Sequence, residues 1–358
     1  MRRFMLLMCL LCLIPPSRAQ DVRAPQREVE VCFVLDTTGS MGGLIGAAKE
    51  KIWFIANAIV SAPSKPSVRF CLIGFRDRGD DYVTRRTDLT ADLDAIYRDL
   101  MAFEAGGGGD TPEAVNQALL EAVEKPGWRE GTGVLRLIFL VGDAPPSVYP
   151  DEPQYPEIAE RARARGILIN PVQCGSDAET TRDWARIASL AGGATAQLRD
   201  AGAVARVRTP LDQDLAALNR RLGATLVPYG DAGVAEQAAA AQALAERMDD
   251  AGVSDRLAFK VASGSVAGTD DLVDAHARGT LDLERLDRAR LPERYRSLDE
   301  AELRTLLDGY RDERAELLRV IGSLLSQRQA WLDRQSTGDG FDAVVSAMVR
   351  RQLADTSR

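Results

Sequence analysis

The sequence predicts an α/β fold, a doubly wound and mostly parallel sheet followed by a smaller α-helical region. Three features carry this prediction. Between Val29 and Asp200, apolar runs of strand length alternate with segments of helical period. Two of the runs stop abruptly at an aspartate, Asp36 and Asp143, as strands do when they deliver polar groups to one end of a sheet. Beyond Gly230 the composition shifts to Ala, Asp, Glu, Arg and Leu, which suits charged, one-sided helices.

The elements follow in order. The first strand ends in VEVCFVLDTTGSMGG (Val29–Gly43). Leu44–Ser61 carries Ile45, Ala48, Ile52, Ile55 and Ile59 at the three-four spacing of a helix with one buried face. SVRFCLIGF (Ser67–Phe75) is a second strand, near-continuously apolar and therefore buried on both faces. After the polar stretch RDRGDD, YVTRRTDL has the mixed character of an antiparallel edge strand. Asp92–Phe103 reads as a helix, and Thr111–Glu124 as another with Pro112 in its first turn. Val134–Val141 is a buried strand, Tyr155–Arg165 a helix, Ile167–Gly175 a strand and Glu179–Gly193 a helix closed by glycines. TAQLRD (Thr195–Asp200) is a short last strand.

In the second region, Ser297-Leu298-Asp299-Glu300 fits a capping box. The run from there to about Gln335 spaces Leu303, Tyr310, Leu317, Leu324 and Trp331 seven apart, with Leu306, Leu307 and Ile321 beside them. Arg314 and Arg328 interrupt the companion stripe. A long helix with one apolar seam follows, expected to pack on Ala235–Met248 or on the α/β domain, with FDAVVSAMVRRQLA closing the bundle.

Composition excludes several function classes. With 358 residues and 45% hydrophobic content the chain builds one good core and something smaller. Residues 1–19, MRRFMLLMCLLCLIPPSRA, read as a secretory signal peptide: two arginines, a short apolar stretch, a Pro-Pro break and a small residue at Ala19. The apolar stretch is too short to span a bilayer comfortably, so no membrane span is expected. The mature protein is expected to be exported, periplasmic or extracellular. Its 42 remaining basic residues face 53 acidic ones, a net charge of −11, which makes nucleic acid a poor partner. The single histidine, His276, lies in a polar segment and reads as a solvated side chain, so neither a zinc cluster nor a histidine triad can be assembled. Cys32, Cys71 and Cys174 remain after signal removal, and the first two sit inside apolar strands as buried thiols. GSMGGLIG lacks both the Gly-Lys-Ser/Thr ending of a P-loop and the dinucleotide-binding glycine spacing.

The chemistry-bearing residues fall on three loops. Asp36, Thr38 and Ser40 alternate at spacing two, so in an extended turn they present hard oxygen ligands together. The competing reading of this D-x-T-x-S motif is a polar cap on the next helix. GGGGDTPEAVNQAL (Gly106–Leu119) adds Asp110 and Thr111, and LRLIFLVGDAPP (Leu135–Pro146) adds Asp143. In this combination the chain resembles the von Willebrand factor type A domain over about Glu28–Gly230, and within it the bacterial exported branch that reads DTTGSM, GGGGDTPE and VGDAPP. FRDRGDDYV, NPVQCG and LVPYG are similar to that branch as well.

The resemblance implies a metal-ion-dependent adhesion site holding Mg²⁺ or Mn²⁺. Its ligands would be Asp36, Thr38 and Ser40, either Asp110 or Thr111, and Asp143 through water. The two options differ by one charge: three carboxylates around a dication leave the site formally −1, whereas Thr111 as ligand favours an incoming acid. The implied function is non-enzymatic capture of another protein, whose acidic residue completes the coordination. A structural or assembly role for the helical region is the alternative. A metal-assisted hydrolase would need a general base, for which Asp77, Asp80, Asp81 and Glu113 are only generic loop acids.

Overall fold

The computed structural model describes residues 27–355 except 61, 63, 65, 110, 200–207, 231–232, 235, 237–238, 241–242, 244–247, 264–270 and 336–339. The expected signal peptide and Asp110 therefore lie outside the described residues. Strands β1 (Glu28–Asp36), β2 (Ser67–Phe75), β3 (Thr84–Thr90), β4 (Val134–Gly142), β5 (Ile167–Cys174) and β6 (Ala196–Leu198) form one sheet. Their order is β3-β2-β1-β4-β5-β6. All neighbours are parallel except β3, which runs antiparallel to β2 at the edge, as its mixed sequence predicts.

Strand β1 pairs with β2 on one side and β4 on the other, so the winding reverses beside it. Ligands in open α/β sheets bind outside the carboxyl ends of the strands at such a reversal. Asp36 ends β1 and Asp143 directly follows β4, which brings both predicted acids to that crevice.

Strand alternation sends side chains to two cores. Val31, Phe33 and Leu35 join a layer with α1 (Ile45–Val60) and α2 (Leu93–Ala102), where Phe33 stacks between Phe70 and Phe139 at centroid distances of 6.1 and 5.7 Å. Cys32 and Val34 face α3 (Val115–Glu124), α4 (Tyr155–Ala164) and α5 (Ala178–Ala191) on the other side, with Trp184 filling that layer. Helix α3 begins at Val115, four residues later than the sequence suggests. Glu113 instead pairs its backbone with the chain leaving β4, N–H to the Pro145 carbonyl at 3.0 Å and carbonyl from the Ser147 N–H at 2.7 Å. Pro112 thus belongs to a loop, not to a first turn.

The helical region comprises α6 (Asp212–Ala224), α7 (Asp250–Ser263), α8 (Leu272–Ala277), α9 (Glu293–Arg296), α10 (Glu300–Gln335) and α11 (Phe341–Asp355). Helix α10 is capped by Asp299, not Ser297. The Asp299 carboxylate accepts from the Glu302 N–H at 2.8 Å and Glu302 returns a bond to the Asp299 N–H at 2.9 Å, the reciprocal arrangement shifted two residues along.

The buried face of α10 carries Leu303, Leu307, Leu317 and Ile321, which pack against α6, α7 and the segment around α8 and α9. Most of Ala235–Met248, the surface expected from sequence, lies outside the described residues. Arg314 and Arg328 do not interrupt this face; they are buried in it. Arg314 meets Asp271 through two parallel bonds of 2.6 and 3.0 Å, and also bonds Asp274 and the Thr225 carbonyl. Arg328 meets Asp212 at 2.7 Å and Asp255 at 2.8 Å. His276 is half-buried, its Nε2 lying 3.2 Å from Asp308, so it is not the solvated side chain expected.

Helix α11 corrects another expectation, because it does not close the helical bundle. It packs on the α/β domain: Val345, Met348, Val349 and Leu353 enter the core beside α1. Lys51 pairs with Asp342 at 2.7 Å, and the Gln352 and Asn170 side-chain amides exchange bonds of 2.7 and 3.1 Å. Phe259 of α7 reaches the same layer, 6.3 Å from Trp53 and 6.0 Å from Phe70.

Removing one partner of a buried, hydrogen-bonded ion pair strands the other charge. Arg314→Ala should therefore destabilise the chain by about 3–5 kcal/mol in denaturant unfolding. Arg319→Ala, which breaks an exposed pair with Glu316, should stay within about 0.5 kcal/mol of the parent. Equal effects of the two substitutions would contradict the role given to Arg314.

Candidate metal centre

Three loops meet at the carboxyl ends of β1 and β4. The first leaves β1 as Thr37 and Thr38 and turns into one turn of 3-10 helix, Gly39–Gly43, anchored by buried Met41. Thr37 is tied to the neighbouring strand by its N–H and its hydroxyl, both to the Phe75 carbonyl at 2.9 Å. The glycine-rich second loop is stitched to the first by two backbone bonds, Gly39 N–H to Gly107 carbonyl and Gly106 N–H to Thr37 carbonyl, each 3.0 Å. Gly107 takes a φ of 71°, where a side chain would be strained and would also strike Asp80. The third loop leaves β4 through Gly142, Asp143 and Pro145-Pro146.

Within this frame the predicted ligands form a continuous chain. Asp36 Oδ1 accepts the Thr38 N–H at 2.9 Å and the Thr38 hydroxyl at 2.6 Å. The Thr38 and Ser40 hydroxyls lie 3.0 Å apart, and Ser40 donates to Asp143 Oδ1 at 2.9 Å. Asp36 and Thr38 are fully buried, Asp143 half-buried and Ser40 exposed. Gly142 makes the packing possible, since a Cβ there would stand 2.7 Å from the Asp36 Cβ and 2.9 Å from its Oδ2. Thr111, by contrast, is exposed beside a cis bond to Pro112.

Two contributors were not recognised from sequence. Glu113, taken for a generic loop acid, is 1% exposed and lies against Thr38 below the glycine-rich loop. Its burial comes from the long-range pairing with Pro145–Ser147, which no local pattern reveals. Arg76 spans the loops, donating to the carbonyls of Thr37 at 3.2 Å and Glu104 at 3.1 Å and to Asp81 at 3.3 Å, with its guanidinium over the Tyr82 ring. The remaining acids nearby are held. Asp77 accepts the Tyr149 hydroxyl on both oxygens at 2.8 Å, and Asp80 accepts the N–H groups of Asp77 and Gly108.

Electrostatically this is a crowded, dry group of carboxylates. Burial pushes Asp36 up to about 7, against the pull of Thr38 and with Asp143 adding repulsion. Burial, then the charges of Asp36 and Asp77, push Glu113 up to about 8. Asp143 is raised by burial and drawn back by Ser40. Asp36 Oδ2 and Glu113 Oε2 are buried with no hydrogen-bond partner among the described residues. Buried acceptors of this kind are rare and require an explanation, an ion or water being the usual one.

The donor set fits a small hard dication: two carboxylates and two hydroxyl oxygens, with room for water. Among the described residues no three His, Cys, Asp or Glu side chains group as a metal-binding set.

The family model described as von Willebrand factor A domain matches residues 30–199. Those residues form a von Willebrand factor A domain. A human relative, von Willebrand factor A domain-containing protein 7, is 38% identical over 114 residues, which span 32% of this chain and 12% of that protein. Among solved structures, BatB from Bacteroides thetaiotaomicron aligns over 48% of this chain and 91% of its own, with 17% identity and a TM-score of 0.37. The SpRpn10 VWA domain aligns over 49% and 89%, with 14% identity and a TM-score of 0.39.

The raised carboxyls of the von Willebrand domain set a pH dependence. Between the ordinary carboxylate value of 3.8 and about 7, the folded chain keeps a proton on Asp36 that the unfolded chain has released. Metal-free stability therefore falls as pH rises through that window, and Glu113 acts in the same sense from 4.5 to about 8. A dication favours the ionised forms. In chelator the melting temperature should fall between about pH 5 and pH 8, and Mg²⁺ should raise it more at pH 8 than at pH 5. A Mg²⁺ effect that is larger at pH 5 would contradict the assignment.

Proposed function

We propose that this chain is a non-enzymatic, divalent-cation-dependent protein-binding protein of the cell envelope or periplasm, whose von Willebrand domain captures a partner through Mg²⁺ or Mn²⁺. The domain type serves protein interaction and adhesion generally. Asp36, Thr38, Ser40 and Asp143 would hold the cation, joined by Asp110 or Thr111, and an acidic side chain of the partner would complete the set. Bound there, the metal supplies a positive centre for that carboxylate.

The observation that carries this reading is the unpartnered, buried Oδ2 of Asp36 beside two hydroxyl oxygens, a cost that a bound cation would offset. Export rests on the first 19 residues of the sequence. Among the described residues no helix is long and apolar enough to cross a membrane.

A hydrolytic reading is less well supported. Asp77 is clamped by Tyr149, Asp80 by backbone N–H groups and Asp81 by Arg76, and Glu113, though one of its oxygens is unpartnered, is 1% exposed, so none is placed as an accessible general base. An assembly role for the helical region finds little support on the outer face of α10. Arg304, Arg311 and Arg319 there are paired with acids on their own helix, as on a solvated surface.

Truncating the chain after Gly230 cannot separate these readings, because it would strip Phe259 and α11 from the α/β core. Point variants can. Calorimetric titration should show saturable Mg²⁺ binding in the parent, weakened at least about tenfold in Asp36→Ala and in Gly142→Ala. Asp110→Asn and Thr111→Ala, compared in the same titration, identify the fifth ligand. Capture of an envelope protein should require metal and fail for Asp36→Ala. Capture that persists in chelator and in Asp36→Ala would overturn the metal-gated reading in favour of the helical region.

A further inference from the structure

Away from the metal loops, the sheet brings together one pair of reactive side chains. Cys32 of β1 and Cys71 of β2 stand directly opposite each other in the parallel register, and their sulfur atoms are 3.0 Å apart. Both thiols are free and fully buried. Neighbouring strands lie about 4.8 Å apart, inside the Cα separation of roughly 4.4–6.8 Å that disulfides span. The sulfurs need to approach by only about 1 Å to reach bonding distance. Cys174 ends β5, with β4 between it and β1, and cannot compete for either partner.

We propose that Cys32 and Cys71 are a modification site, an interstrand disulfide formed as the chain folds in the presence of a disulfide oxidant. The thiolate of one cysteine attacks the oxidant RSSR, a mixed disulfide forms, and RS⁻ leaves and takes up a proton. The second cysteine, as thiolate, displaces the remaining RS⁻. The net change is two protein thiols oxidised by two electrons to one S–S bond, and RSSR reduced to two RSH.

Timing follows from the surroundings. The pair faces α3 within the apolar layer that contains Val34, Ile73 and Ile138. Besides burial and the Cys71 thiol, the charges that act on Cys32 are those of Arg86, which lowers its pKa, and Glu121, which raises it. Burial raises the Cys32 thiol well above its ordinary value, so the folded protein holds little thiolate to react. Exchange therefore belongs to the stage before α3 covers the sheet. The bond closes a ring from Cys32 to Cys71 that contains α1 and the whole first metal loop, with Asp36, Thr38 and Ser40 inside it. A cross-link of this span acts mainly on the unfolded chain, which loses the freedom to separate β1 from β2.

The test is oxidative refolding of the full chain from denaturant with oxidised and reduced glutathione, followed by acid quench, alkylation and peptide mapping. The expected product is a peptide pair joining Cys32 to Cys71, about 2 Da lighter than the two thiol peptides together, with Cys174 alkylated. Alkylation of both Cys32 and Cys71 after refolding, or their capture by other cysteines, would overturn the proposal. Reduction of the cross-linked protein should lower its melting temperature by about 5 °C or more, and the volume-conserving pair Cys32→Val with Cys71→Val should melt identically with and without reductant. Adding the oxidant to the folded, reduced protein should form the bond no faster than the chain unfolds; formation within seconds would refute the timing.

Discussion

Strand β1 is hydrogen-bonded along both edges and covered on both faces, and the properties of the site follow from where that strand stops. Its last residue is a carboxylate that inherits the dryness of the sheet interior. Water cannot stabilise this charge, so Thr38 does part of that work with an N–H and a hydroxyl. Ser40 then links the carboxylate of the first loop to that of the third. Two paired backbone bonds between the first and second loops, with Arg76 bracing their carbonyls, hold the arrangement rigid. Position is thus set by backbone pairing, and charge by burial.

Much of this was legible in the sequence because it is local. Apolar runs of strand length announce β1, β2, β4 and β5, the mixed character of YVTRRTDL announces β3 as an edge, and an acid at the end of an apolar run announces Asp36 and Asp143. What escaped was long-range. Glu113 looks like one more charge after a proline, and only its pairing with the exit of β4 buries it. Arg76 opens the polar stretch RDRGDD, yet its guanidinium is enclosed by carbonyls from two loops and a tyrosine ring. The start of α3 was misplaced for the same reason that Glu113 was overlooked.

In the helical region the apolar pattern conceals charges that are part of the core. Arginines at Arg314 and Arg328 look like breaks in an apolar seam, but each meets acids contributed by other helices. Asp271 satisfies Arg314 twice, caps the start of α8 through the Asp274 N–H and accepts the Val227 N–H, so nearly every lone pair on it is used. Such networks add little to stability over apolar packing, but they punish misalignment, because any slip leaves a buried charge bare. They specify which helices meet, where leucines alone would tolerate several answers.

Helix α11 carries the last consequence. It follows α10 in sequence, far from α1, yet Leu353 and Val349 complete the layer that α1 begins, and the paired amides of Gln352 and Asn170 fix it to β5. During synthesis part of this layer therefore stays uncovered until α11 has emerged, long after α1, so the apolar surface of α1 is a late-closing seam of the core.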